Sequence, residues 1–417
     1  RNRAPTRTQL EFRGTLNGEA LRAALALPPS LSMAGTTDWR AVLKLSPEPN
    51  RERSLRVSSN LTGLQIKLPA PLDKPADAPL PSWFDMEWPG NGGAQGRLSL
   101  GSVVNGSYAL EFAAGGMRLA HLALNFGSGE SHSGNAQILN VGGSVARLDL
   151  AGWLKLNPAD KNARPLSDYL RTAKLNVAEL DYLGLAFRDV SLEFATAEDG
   201  LRVTVGGPNV AGSIVLPGAD SGLPLNLQFD RLRVDVAPET AAQGGGDAAR
   251  SGLGDPRSVP AVNFHAAQLD WGERHIGDVR ATLAKLDDGI SLTQLTIAGA
   301  NFNVDAKGEW RGKGEGMGRI EGDLTSSDVQ DTLKQLGYIP VIEAKSGRVD
   351  FDLNWLGAPT ADSLSQATGH VQMSLDKGQI VGLKPGAGRV LGLTSVAALR
   401  RRLALEFSDL TDKGLAF

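Results

Sequence analysis

The residues that could carry chemistry in this chain are few and scattered. Five histidines stand at positions 121, 132, 265, 275 and 370. None has a Cys, Asp or Glu at metal-ligand spacing on a helix, and no H-E-x-x-H occurs. His132 lies in the run SGESHSG, which holds Ser, His and Glu together. Neighbours in sequence are not neighbours in a triad, however, and no G-x-S-x-G elbow is present, so the run reads as a polar turn. Asp350 and Asp352 share one strand face about 7 Å apart. Without a nearby base or pocket they read as its solvated side. The glycines between 308 and 318 are too many and wrongly spaced for a phosphate loop, and no Lys-Ser/Thr follows. They read as an exposed turn. Gly386, Gly388 and Arg389 read as a tight turn before a helix, and Arg400, Arg401 and Arg402 as cations complementing that helix's C-terminal dipole. No cofactor or metal is implied.

What the sequence specifies instead is a pattern. In residues 349–355 apolar and polar side chains alternate without a break, which puts Val349, Phe351, Leu353 and Trp355 on one face of a strand. A second strand presents Val371, Met373 and Leu375, and a third Leu403, Leu405 and Phe407. These ten residues are the candidate binding face. Similar strands recur throughout, at 9–16, 39–45, 96–100, 107–112, 118–126 and 145–156. The proline-rich stretch 69–81 must be extended loop or edge. Asn17 is placed to cap a short helix over 18–27, stopped by Pro28 and Pro29. Ser327 and Gln330 suggest a capping box for a helix over 328–336, ended by Gly337. Leu180-Asp181-Tyr182 recurs as Leu269-Asp270-Trp271, and Asp199-Gly200 as Asp288-Gly289, both offset by 269 minus 180, or 89 positions. The shared offset points to a repeated meander.

Composition narrows the class. The 417 residues are 41% hydrophobic and 6% aromatic, with 50 glycines, no cysteine and a net charge of −3. Glycine-rich, aromatic-poor sequence suits many short strands joined by tight turns. Without cysteine there is no disulfide, iron–sulfur or thiol chemistry, and the charge gives no basic field for nucleic acid. No apolar run approaches the roughly 18 residues of a membrane span. The start at Arg1 and the stop at Phe417 read as those of a piece of a longer protein, whose anchor would lie elsewhere. One strand per 12 to 15 residues implies about 25 to 30 strands, or roughly 120 to 140 Å in one sheet. Open sheets seldom exceed about ten strands without curling, so the chain forms either separate sandwiches or a lengthwise trough. The pattern alone does not choose.

A resemblance adds to this reading. Residues 55–75 (LRVSSNLTGLQIKLPAPLDKP), 133–137 (SGNAQ), 355–359 (WLGAP), and 384–393 (KPGAGRVLGL) through 402–410 (RLALEFSDL) are similar, in content and order, to the C-terminal half of an AsmA-like envelope protein of Gram-negative bacteria. Thr411 and Asp412 depart from the family's usual apolar pair. The resemblance implies a mostly β fold: an elongated, curled antiparallel sheet forming a trough with an apolar interior, plus a few short helices. Residues 1–240 would form its first part, 241–260 a flexible Gly/Ala-rich loop, and 261–417 its C-terminal part with two short helices. It further implies a periplasmic, non-enzymatic conduit that carries phospholipid between membranes, belongs to an inner-membrane-anchored protein, and meets the membranes through segments outside this chain. The competing expectation is a structural scaffold with a dry core. A polysaccharide hydrolase would need carboxylates in an aromatic-lined cleft, against the low aromatic content.

Overall fold

A computed structural model of the chain describes residues 8–24, 32–45, 53–89, 93–113, 116–127, 139–155, 170–182, 185–218, 221–235, 255–313, 316–340, 342–380 and 415–416. The chain divides into two compact units, the first Arg1–Tyr182 with Ala186–Pro208 and the second Leu183–Leu185 with Asn209–Phe417. Both are built almost entirely of strands.

In the first unit the strands are β1 (Thr8–Asn17), β2 (Ser32–Leu45), β3 (Arg53–Ser59), β4 (Leu64–Lys67), β5 (Ser82–Trp88), β6 (Gly93–Leu100), β7 (Val104–Ala113), β8 (Gly116–Phe126), β9 (Leu139–Asp149), β10 (Leu170–Tyr182), β11 (Leu185–Ala197) and β12 (Gly200–Gly206). Pairing follows chain order and is antiparallel from β1 to β8 apart from the short β4, which pairs back onto β2. The pairs β8–β9 and β9–β10 are parallel, each across a connection of the dozen or more residues that a parallel step needs. Helix α1 (Gly18–Ala24) follows β1, and Ala20 N donates to the Asn17 side chain at 2.6 Å, the expected cap. The proline-rich loop is ordered. Lys74, only 4% exposed, donates to the carbonyls of Leu64 at 2.8 Å and Pro75 at 2.9 Å. Trp153, in helix α2 (Leu150–Lys155), donates to Ala70 O at 2.8 Å and ties the loop to the end of β9.

The second unit continues with β13 (Val210–Pro217), β14 (Leu225–Val234), β15 (Val262–Trp271), β16 (Arg274–Leu286), β17 (Gly289–Ala298), β18 (Phe302–Arg311), β19 (Met317–Ser326), β20 (Ile342–Leu356), β21 (Thr368–Ile380) and β22 (Leu415–Ala416). Every pair is antiparallel except β14–β15. The repeat appears as matching elements: β11 and β12 start at 185 and 200, β16 and β17 at 274 and 289.

Four local expectations need correction. Residues 150–155, expected within the strands over 145–156, form helix α2. The cap of helix α3 (Val329–Gln335) is Asp328, whose carboxylate accepts from Asp331 N at 2.9 Å, while Gln330 turns to Glu343. Asp at this position outcompetes Ser327 because it carries a charge toward the helix N-terminus. Gly308 to Arg311 continue strand β18 and are no exposed turn, since Gly308 lets the strand approach Arg319 O and Trp310 is 5% exposed. Helix α4 (Ala361–Ser365), with a Thr360–Ser363 capping box, was not foreseen. Residues 255–260, inside the expected loop, form an ordered 3-10 turn at Pro256–Ser258 capped by Asp255. The expected helix after Thr394 lies outside the described residues.

Candidate functional site

The register sorts the side chains of the second unit into two faces. One row of directly opposed residues crosses nine strands: Ile214, Leu227, Phe264, Ala281, Leu295, Ala306, Gly322, Phe351, Val371. Parallel rows on either side pass through Val304, Leu324, Val349 and Met373, and through Leu292, Gly308, Ile320 and Leu353. At about 4.8 Å per strand the central row is roughly 38 Å long.

The reverse face is mostly polar, with Met317 and Leu356 an exposed apolar pair at one end. The row Gln228, His265, Arg280, Thr296, Asp305, Asp323, Asp350, Gln372 holds no apolar residue. Cross-strand ion pairs lace it: Arg319 with Asp352 at 2.8 Å, Arg348 with Asp323 at 3.3 Å and Lys307 with Glu321 at 3.0 Å. The Arg319 guanidinium holds the Asp352 carboxyl below the usual carboxylate range. Hydrogen bonding from His265, then Arg280, does the same to Asp278. Carboxylates held ionised in this way are poorly suited to general acid work. Among the described residues no His/Cys/Asp/Glu group could hold a metal.

The apolar face is covered over part of each end and half-open elsewhere. At one end α3 packs chiefly on β20, with Val329 over Gly347, and Thr332 bonded to Ser326 at 2.8 Å. At the other end the 3-10 turn packs on β17 and β18, where Lys285 reaches the carbonyls of Arg257 and, at 2.9 Å, Val259. Beside it Ile290, Trp310 and Trp355 are 4–8% exposed. The middle rows are different. Val349, Phe351 and Leu353 are half-buried, and Val371 and Met373 are 45% and 56% exposed. A sandwich would bury these positions under a second layer.

Seven of the ten residues expected from sequence therefore share one face: Val349, Phe351, Leu353, Trp355, Val371, Met373 and Leu375. Trp355 sits at a covered end, its ring against Gly318 and its indole N–H buried without a partner. Leu403, Leu405 and Phe407 lie outside the described residues.

The family model for the YhdP protein matches residues 2–417. The chain belongs to the YhdP family. Over 149 residues, 35% of its length, it is 30% identical to the Escherichia coli (strain K12) protein named intermembrane phospholipid transporter YhdP. The match covers 12% of that protein. No helix among the described residues is long and apolar enough to cross a membrane.

In this YhdP-family chain the apolar face extends well beyond the strands singled out from sequence. Leu227, Phe264, Leu295, Ile320 and Leu324 belong to it as much as Phe351 does. The same period of two marks most of these strands, and it was the signal to follow. The first unit has a comparable row, Phe12, Ala41, Val57, Phe84, Leu98, Gly106, Leu124, Val141, Ala173. Phe12 there is 48% exposed.

Proposed function

We propose that the chain is a lipid-transfer module whose apolar sheet face holds phospholipid acyl chains during passage between the inner and outer membranes. The observation that carries this reading is the half-open band of the second unit, nine strands wide, backed by a charged face. Apolar patches of this extent usually mark a binding site. Each acyl CH₂ withdrawn from water gains about 0.8 kcal/mol, so a chain of about 16 carbons gains roughly 12 kcal/mol. Such a floor makes no directional bonds, and a chain can slide across it from strand to strand without meeting a trap. The headgroup stays in water at the open side. The similarity to a protein named as an intermembrane phospholipid transporter supports the reading, in which the chain lies in the periplasm as part of an inner-membrane-anchored protein.

Lipid extraction from the purified chain, followed by mass spectrometry, tests the proposal. Co-purifying phospholipid is expected. A chain that stays lipid-free and fails to cross-link to photoactivatable acyl chains overturns it in favour of a scaffold with no lipid path.

A further inference from the structure

Almost every cation on the strands of the second unit has a partner. Arg233, Arg280, Lys307, Arg311, Arg319 and Arg348 each pair with a carboxylate, and Lys285 is held by two carbonyls. Lys345 and Lys377 are different. The pairs Ala344–Gly378 and Ser346–Asp376 bracket them, so the two lysines stand opposite each other across β20 and β21. Both are exposed, and neither has an ion pair or side-chain hydrogen bond among the described residues. Glu343, two positions along, accepts instead from Gln330 at 3.0 Å. Like charges directly opposed across strands repel. Lys377 also takes a left-handed φ of 49°, a conformation that disfavours any residue but glycine and that concentrates at binding sites.

Their register position gives the pair a meaning. Lys345 lies two residues beyond Gly347, and Lys377 two beyond Leu375, on the parity of the apolar face. From Lys377 the file Leu375, Met373, Val371 leads into the open band, six residues or roughly 20 Å along the strand. One leaflet of a bilayer, headgroup included, is half of about 40–45 Å, a similar depth.

We infer that Lys345 and Lys377 form a site for the phosphate of a glycerophospholipid headgroup, with the tails laid on Leu375, Met373 and Val371. The inference rests on the lipid-transfer reading and adds a fixed polar end to it. Two ammonium groups flanking one phosphate give charge-assisted hydrogen bonds, and the anion removes their mutual repulsion.

Calorimetric titration of the whole chain with three probes below their micelle concentrations tests this. The probes are dihexanoylphosphatidylglycerol, dihexanoylglycerol (the same tails without phosphate) and inorganic phosphate. The parent chain should bind the phosphatidylglycerol about tenfold or more tighter than either other probe, the scale of a pair of charge-assisted bonds. The double variant Lys345→Gln with Lys377→Gln should bind it no better than dihexanoylglycerol, whose own binding stays unchanged. Equal binding of both lipids by the parent, or a double variant that binds as the parent does, overturns the headgroup site and leaves the apolar-face reading standing. Inorganic phosphate bound as tightly as the lipid overturns it in favour of a simple anion site. Binding of neither lipid by the parent overturns the apolar-face reading itself.

Discussion

Phe351 sits in the middle of the central row, opposite Gly322 on one side and Val371 on the other. Replacing it with Asp places a carboxylate on the open floor, flanked along the strand by Val349 and Leu353. A lone Asp facing hydrocarbon costs about 2.5–3.5 kcal/mol on the membrane-insertion scale. At 1.4 kcal/mol per tenfold, acyl binding should weaken roughly 100-fold. The fold itself should lose less. Fully burying a Phe is worth about 1.5–3 kcal/mol, and Phe351 is only half-buried, so roughly 1 kcal/mol of stability is at stake. Displacement of a fluorescent fatty acid measures the first quantity, and urea unfolding the second. Gln372→Asp provides the control, because it adds the same charge to the polar face next to Asp350. Phe351→Asp should abolish displacement while remaining folded, and Gln372→Asp should behave as the parent. Equal effects of the two variants, or none from Phe351→Asp, would refute the assignment of faces.

Three further outcomes follow from the geometry. A Cβ at Gly318 would come within 2.2 Å of the Trp355 ring, so Gly318→Ala should destabilise by about 1–3 kcal/mol in urea unfolding, with a shift in tryptophan emission as the ring moves. Lys74→Met removes the donor from two carbonyls at a buried position and should cost about 2 kcal/mol in the same measurement. The Asp278 carboxyl, ordinarily near 3.8 and lowered in the fold chiefly by His265, stabilises above that value and loses its contribution as pH falls through the lower folded-state value. Thermal melts from pH 5 to 2 should therefore decline less steeply for Asp278→Asn than for the parent.

The period of two was legible because each strand has one wet and one apolar face, and that alone fixes which residues of β20 and β21 share a side. The antiparallel plan followed from glycine-rich turns, but the roughly 25 to 30 strands expected compare with 22 among the described residues. Register did not follow, since nothing local aligns Phe351 with Val371 and not with a residue two places away. The parallel pairs at β8–β9, β9–β10 and β14–β15 were hidden for a related reason: their connections carry no pattern that announces a crossover. Trp310 was misplaced because the five glycines from 308 to 318 look like a turn, when in the sheet Gly308 and Gly318 make room for close strands and indole rings. The end covers, α3 and the 3-10 turn, were invisible as covers. A seven-residue helix capped by Asp328 is readable as a helix, but its seat on Gly347 depends on a glycine nineteen residues away in sequence. The lysine pair was unreadable for the same reason, being opposed only through the register of β20 and β21.

The acyl chains are proposed to lie on one face of one sheet, and β20 exposes both faces to a labelling experiment. A photoreactive benzoylphenylalanine placed singly at positions 349, 350, 351, 352 and 353, followed by irradiation with an alkyne-tailed phospholipid, reads which side the acyl chains occupy. Cross-links are expected at 349, 351 and 353 and none at 350 and 352. Cross-linking without that alternation, or at no position, would contradict this placement.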